Sequence, residues 1–254
     1  MMMTLHIMRR ELRAMFLSPL AWTILAVVQF ILAYLFLTQL SEFIRYQPQL
    51  KSLAQSIGVT DIVISPMYGS ASFILMLVVP LITMRVISEE RRNKSLALLF
   101  SAPVSMTEIV LGKYLGVVAF LMIMIGMVSI MPLSLLFAGP IDTGLFLSTL
   151  LGVILLVTSF AAVGVYFSSL TVQPTVAAIA TFGILLLLWI IDWAGGRVAD
   201  PNTTGVLTYL SMLRHFETLS KGVFNTSDVA YYLLFIGAFL TLSVRRLDAD
   251  RLQH

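Results

Sequence analysis

The sequence contains no cysteine and few charged residues, and each shortage excludes a class of protein. Without cysteine, the chain has neither disulfide bonds nor thiol chemistry. Asp, Glu, Lys and Arg make up 11% of the 254 residues, whereas a soluble domain usually carries about 25%. Hydrophobic residues reach 59%, at a mean hydropathy of +0.96. This composition, with its long unbroken apolar runs, indicates an integral membrane protein.

Six apolar runs fit helices that cross a bilayer. A helical span needs about 20 mostly apolar residues to cross about 30 Å of hydrocarbon. Six such runs leave too little polar chain to surround a soluble core, and they lack the alternation of barrel strands. We therefore predict an all-α membrane protein, with spans at about residues 20–40, 70–87, 114–137, 145–170, 175–191 and 229–244.

The basic residues are distributed unevenly between the predicted loops. Eleven of the sixteen Lys and Arg residues lie in the N-terminal segment, in residues 85–113 and in the C-terminal tail. Lys and Arg concentrate in cytoplasmic loops. We therefore expect both termini and the segment 88–105 to be cytoplasmic.

The N-terminal sequence TLHIMRRELRAMF predicts an amphipathic helix. Its apolar residues fall on one helical face, whereas Arg9, Arg10 and Arg13 fall elsewhere. Basic amphipathic helices lie in the plane of the membrane interface. We expect this interfacial (elbow) helix to lead into the first span.

Two external segments are predicted, at residues 41–69 and 192–228. The second contains LTYLSMLRHFETLSKG, whose apolar spacing predicts an external helix between the fifth and sixth spans. Gly222 is placed to end this helix as a left-handed C′ residue. Ser227 or Asp228 is expected to cap the last span.

The sequence lacks the residues that ion-coupled carriers and membrane enzymes need. No ionisable side chain lies in the middle of a predicted span, where such carriers usually hold carboxylates or His. The three histidines show no metal-ligand spacing. LGKY at residues 111–114 lacks the other residues of a phosphate-binding loop. We therefore predict no catalytic residue, metal or cofactor, and we expect a partner subunit to bind any ATP.

The most highly charged stretch, SEERRNKSLALLFSAPVSMTEIVLGK, lies between the second and third spans. Pro103 cannot continue a helix that precedes it, and Ser105 with Glu108 fits a capping box. The stretch therefore predicts an extension of the second span, a short helix near residues 96–100, a turn at Pro103 and a new helix from Ser105.

This stretch resembles the cytoplasmic signature of ABC-2-type transporter permeases. The matching residues are Glu89, Glu90, Arg91, Arg92, Ser95, Leu96, Leu98, Leu99, Pro103, Val104, Ile109, Val110, Leu111, Gly112, Lys113 and Gly116. The chain departs from the pattern at Lys94, where the family usually has Gly, and at Ala97, where it often has Glu. RRELRAMFLSPLAW and HFETLSKGVFNTSDVAYYLLF are similar to segments of gliding-motility (GldF-like) permease subunits.

The resemblance covers nearly the whole chain and implies one ABC-2-type transmembrane domain over residues 1–254. It implies a six-helix permease of the type V ABC fold in the bacterial cytoplasmic (inner) membrane. It also implies a homodimer and a separate cytoplasmic ATPase subunit, and it allows for an extracytoplasmic accessory subunit. The implied function is ATP-driven export or extrusion of an unidentified substrate. The implied partners are proteins and membrane lipid, with no nucleic acid.

Our hypothesis is that the segment 88–105 is a coupling segment that contacts the ATPase. The predicted contact residues are Glu89, Glu90, Arg91, Arg92, Leu96, Leu99, Phe100 and Pro103. The alternative is ordinary cytoplasmic charge next to an interfacial apolar turn. The pair Gly112 and Gly116 permits close helix approach, but such pairs are frequent by chance.

Two other functions stay open at this point. The chain could relay ATP-driven motion to an extracytoplasmic partner without transport, as a mechanotransmitter. Its external contact residues would then be Leu210, Arg214, Phe216, Lys221 and Gly222. A secondary carrier is disfavoured by the uncharged spans.

Overall fold

The computed structural model describes residues 2–50, 58–95, 104–137, 141–195 and 211–251. Within these ranges the chain forms nine α-helices and no strand. The helices are α1 (Met2–Leu17), α2 (Pro19–Leu50), α3 (Ser65–Thr83), α4 (Ser88–Arg92), α5 (Met106–Ser134), α6 (Thr143–Leu170), α7 (Pro174–Gly195), α8 (Met212–Ser220) and α9 (Thr226–Arg251). A π-helical turn, Thr60–Ile64, precedes α3, and a 3-10 turn, Leu135–Phe137, follows α5.

Five helical stretches are long and apolar enough to cross a membrane, and each overlaps one predicted span. In the described part of the chain they are Pro19–Gln47, Thr60–Arg92, Met106–Phe137, Thr143–Leu170 and Thr226–Arg251. The predicted span 175–191 falls on α7, whose apolar part, Pro174–Ile190, is shorter. All-helical architecture is therefore confirmed, with five candidate spans.

Several helices extend beyond the predicted spans. α2 continues from residue 40 to Leu50, which occupies the first part of the predicted external segment 41–69. α9 likewise runs to Arg251, past the predicted end at residue 244. Hydropathy marks where the chain leaves the hydrocarbon, whereas backbone hydrogen bonding continues a helix into water. The helices therefore run past the predicted spans at these two ends, while the predicted limits of the spans themselves stay predictions.

α6 lies at the centre of the bundle. In the most apolar stretch of α6, 67% of the residues are buried, whereas in that of α9 only 17% are buried. α6 packs against α3, α5, α7, α8 and α9, whereas α2 and α9 direct large apolar side chains such as Phe30 and Leu234 outward. An apolar outer surface suits helices that face lipid. The two chain ends, residues 2–18 and 245–251, lie at one end of this bundle, which we call the terminal end.

The helical path breaks between α3 and α4, and α6 supplies the missing hydrogen bonds. Ser168 Oγ accepts from the backbone N–H groups of Ile87 and Ser88, at 3.0 and 3.1 Å. It also donates to the carbonyl of Met84 at 3.0 Å. The first N–H groups of a helix have no partner within the helix. Ser168 therefore fixes the start of α4 on the end of α6.

Gly164 lets α3 and α6 come into close contact at the same level. A Cβ atom at this position would lie 2.6 Å from Cβ of Thr83. Thr83 is fully buried, and its hydroxyl donates to the carbonyl of Val79 at 2.9 Å. A larger residue at position 164 would therefore push the two helices apart.

We expect Gly164→Ala to lower the free energy of unfolding in detergent micelles by about 1–3 kcal/mol, the usual effect of overpacking a core. Gly126→Ala is the matched control, because nothing lies within 4 Å of its added Cβ. Thermal unfolding of both variants checks this expectation. Equal unfolding temperatures would contradict the close contact of α3 with α6.

Candidate functional site

A buried lysine joins three helices at the terminal end. Lys113 of α5 is only 3% exposed. Its Nζ lies 2.8 Å from Oε1 of Glu90 on α4 and 3.3 Å from Oε2 of Glu11 on α1. It also donates to the carbonyl of Val86 at 2.6 Å. These contacts match the three donors of an ammonium group. We call Glu11, Glu90 and Lys113 the Lys113 cluster.

Two glycines of α5 bring the interfacial helix α1 against the Lys113 cluster. A Cβ atom at Gly112 would lie 2.7 Å from Cβ of Ile7, and one at Gly116 would lie 2.8 Å from Cβ of Glu11. The absence of side chains at both positions therefore permits the close approach that the sequence indicated. The helix that makes this approach is α1 of the same chain.

A second ion pair joins α4 to the last helix. Arg91 pairs with Asp250 of α9, and both side chains are mostly buried. Arg246 contacts the same carboxylate at 3.5 Å. α4 is thus held to α5 and α1 through Glu90 and to α9 through Arg91.

The four charged residues predicted to contact a partner divide into two pairs. Glu90 and Arg91 point into the protein, where the contacts just described hold them. The side chains of Glu89 and Arg92 are 41% and 57% exposed and lie 4.0 Å apart. An exposed pair at this distance contributes little to stability. Leu96, Leu99, Phe100 and Pro103 lie outside the described residues.

Lys94 adopts the conformation that explains the usual family glycine. Its φ angle is +55°, in the left-handed region that glycine adopts most easily. The N–H of Lys94 donates to the carbonyl of Arg91, and that of Ser95 donates to the carbonyl of Glu90. This is the Schellman pattern of a helix C-terminus. α4 therefore ends at Arg92, with lysine in the glycine position.

The predicted capping box at the start of α5 is confirmed. Ser105 Oγ accepts from the backbone N–H of Glu108 at 3.2 Å. Oε2 of Glu108 accepts from the backbone N–H of Ser105 at 3.3 Å. Two N–H groups of the helix start are thereby satisfied, and α5 begins two turns before Lys113.

At the other end of the bundle, α8 lies within the segment that was predicted to form an external helix. Gly222 has a φ angle of +78° and ends the helix, with Val223 donating to the carbonyl of Thr218. Phe216 is buried, whereas Arg214 and Lys221 are exposed. Leu210 lies outside the described residues.

A histidine–aspartate contact joins α8 to the start of α9. His215 Nδ1 lies 2.7 Å from Oδ1 of Asp228, and its ring stacks on Tyr231 with centroids 4.3 Å apart. Because α9 begins at Thr226, Ser227 and Asp228 lie inside its first turn. The prediction that one of them caps the helix was therefore wrong. The carboxylate of Asp228 pairs with the histidine instead.

Hydroxyl groups fix the end of α8 on the central helices. Ser148 of α6 donates to the carbonyl of Leu219 at 2.7 Å, and Ser65 of α3 donates to that of Ser220 at 3.0 Å. The last carbonyls of a helix have no partner within it. α8 is therefore packed into the bundle, with one charged face exposed.

The family model described as "ABC-2 family transporter protein" matches residues 5–251 of the chain. The chain belongs to the ABC-2 transporter family. It is a multi-pass membrane permease subunit of an ABC transporter, and its ATPase activity lies in a partner subunit. No curated protein sequence gives a significant match.

The permease shows no arrangement suited to a metal among its described residues, where no three His, Asp or Glu side chains are grouped. Sequence reasoning missed the roles of Glu11, Lys113, Ser168 and Asp250. The signal for Lys113 was present, because a lysine on the apolar start of a span needs a carboxylate partner. No comparable signal marks Ser168.

We expect Lys113→Ala to lower the free energy of unfolding by about 3 kcal/mol, because it leaves Glu90 with only the exposed Arg10, 3.9 Å away, and removes the cation from Glu11. Lys221→Ala, at an exposed lysine, is the matched control. Thermal unfolding in detergent micelles compares the two variants. A loss for Lys113→Ala no larger than that of the control would show that the Lys113 cluster does not hold the helices.

Proposed function

We propose that this permease exports its substrate in response to a separate ATPase that contacts the coupling segment, residues 88–105. The observation that carries this proposal is the Lys113 cluster. Through it, α4 contacts both the span α5 and the interfacial helix α1. If α4 moves, α1 and α5 must therefore move with it, because buried opposite charges would otherwise be separated.

Three further contacts extend this route. Arg91 joins α4 to α9 through Asp250, and Ser168 joins the start of α4 to α6. Coupling between distant sites needs an element with two arrangements that both sites influence. α4 and its partners are the element that ATP binding and hydrolysis would shift between two arrangements.

The surface offered to the ATPase consists of the outward side chains of the coupling segment. Glu89 and Arg92 supply its charges in the described part of α4. Leu96, Leu99, Phe100 and Pro103, which lie outside the described residues, are the apolar residues that the sequence assigns to this contact. Glu90 and Arg91 act from inside the permease, as positioning residues that keep α4 attached to the spans.

The finer architecture belongs to the same proposal. α7 would be the fifth of six spans, in a type V fold like that of gliding-motility permease subunits. Two copies would form a homodimer with two ATPase subunits, because six helices enclose little space for a large substrate. Both termini would be cytoplasmic in a bacterial inner membrane, since most basic residues gather at the terminal end.

A second candidate function, mechanotransmission, is favoured by the position of α6. Its 28 residues extend about 42 Å. Ser168 near one end contacts the start of α4, and Ser148 near the other contacts α8. α8 presents Arg214 and Lys221 outward, where an extracytoplasmic accessory subunit could bind. Transport of a labelled lipid, glycan or peptide into vesicles separates this function from export.

We expect Arg92→Glu to reduce ATPase stimulation by the permease at least about tenfold, the effect of losing one interface hot spot. The readout is ATP hydrolysis by the co-expressed complex in vesicles. Arg214→Glu reverses an exposed charge at the opposite end and should leave hydrolysis unchanged. Arg92→Glu with normal folding and normal stimulation would overturn the proposed contact.

A further inference from the structure

The outer surface of α3 carries a column of exposed apolar side chains. Phe73, Leu77 and Leu81 follow one another at intervals of four residues and are 43–45% exposed. Residues four apart lie on the same face of a helix. Arg85 lies four residues further on, in the turn that follows α3, and is also exposed. We call these four residues the α3 column.

A cavity lies at the foot of the α3 column. It has a volume of about 140 Å³, and Leu81 and Arg85 both line it. The junction between α1 and α2 lines the cavity, and its walls come from α1 to α5. Its apolar lining includes Met15, Ala21 and Phe120. This space has room for several water molecules or a small polar headgroup.

Trp22, next to the lining residue Ala21, indicates the depth of the cavity in the membrane. Trp22 is exposed, and its indole N–H donates to the carbonyl of Phe16 at 2.8 Å. Exposed tryptophans gather at the level of the lipid headgroups. The cavity therefore lies where a headgroup and the first part of an acyl chain meet the protein.

The charges around the cavity have both signs. The guanidinium of Arg85 makes no ion pair or hydrogen bond within the described part of the chain. Glu89 and Glu11 line the same cavity. Glu11 already contacts Lys113, whereas among the described residues the carboxylate of Glu89 has only its 4.0 Å contact with Arg92. A free guanidinium thus lies close to a weakly paired carboxylate.

We propose that this cavity binds one membrane phospholipid with a zwitterionic amine headgroup, of the phosphatidylethanolamine class. Its phosphate accepts from Arg85, because a guanidinium binds phosphate in bidentate geometry. Its ammonium group contacts Glu89, a residue that the proposed ATPase surface shares, and one acyl chain lies along Phe73, Leu77 and Leu81. An anionic lipid without an ammonium group is disfavoured, because it brings negative charge to Glu89.

The first test measures lipid binding to the full-length permease by native mass spectrometry, with phosphatidylethanolamine and phosphatidylglycerol as probes. We expect one tight phosphatidylethanolamine site, and Arg85→Gln should weaken it at least about tenfold, as loss of a charge-assisted hydrogen bond would. Arg245→Gln is the matched control, at an exposed arginine of the terminal end outside the cavity. Equal binding by the two variants would overturn the site.

The second test concerns the headgroup. Glu89→Gln should make the affinities for phosphatidylethanolamine and phosphatidylglycerol nearly equal, because it removes the carboxylate that favours the ammonium group. A purely structural role of Glu89 would change both affinities equally, and that result would overturn the assignment of the amine. Tighter binding of phosphatidylglycerol by the unmodified permease would also overturn it. A change of oligomeric state in Arg85→Gln, without lipid loss, would assign the α3 column to a protein interface instead.

Discussion

The arrangement of the terminal end depends on neutralising one buried ammonium group. Lys113 lies on an apolar helix, and burying it alone would be very unfavourable. Glu11 and Glu90 supply the opposite charge from two other helices. A lysine in this position therefore requires α1, α4 and α5 to stay together. Gly112 and Gly116 make the required distances possible, because they let α1 approach the backbone of α5.

The same requirement connects the folding of the chain with its function. In a permease whose ATPase is a separate subunit, force has to enter through a surface that is firmly attached to the spans. α4 satisfies this condition, since its inward side holds buried charges and its outward side holds exposed ones. The inward contacts reach α1, α5, α6 and α9, so that nearly every described helix lies within one contact of α4 or of α6.

Local features were predictable from the sequence, whereas the pairing of charges was not. Hydropathy located five candidate spans. The capping box at Ser105 and the C′ glycine at Gly222 were predictable because each depends on neighbouring residues. Glu11 and Lys113 are 102 residues apart, and Arg91 and Asp250 are 159 apart. No local pattern indicates such partners. From the sequence, all four charged residues 89–92 were therefore predicted to face the partner. In the structure, Glu90 and Arg91 are directed inward.

The most direct test of the account is a double-mutant cycle between Glu90 and Lys113. Glu90→Gln, Lys113→Gln and the double variant are compared by their free energies of unfolding in detergent micelles. Residues in direct contact show interaction energies of about 0.5–3 kcal/mol, and we expect at least about 1 kcal/mol for this buried pair. Additive effects, with an interaction energy near zero, would contradict the claim that Lys113 holds α4 to the spans.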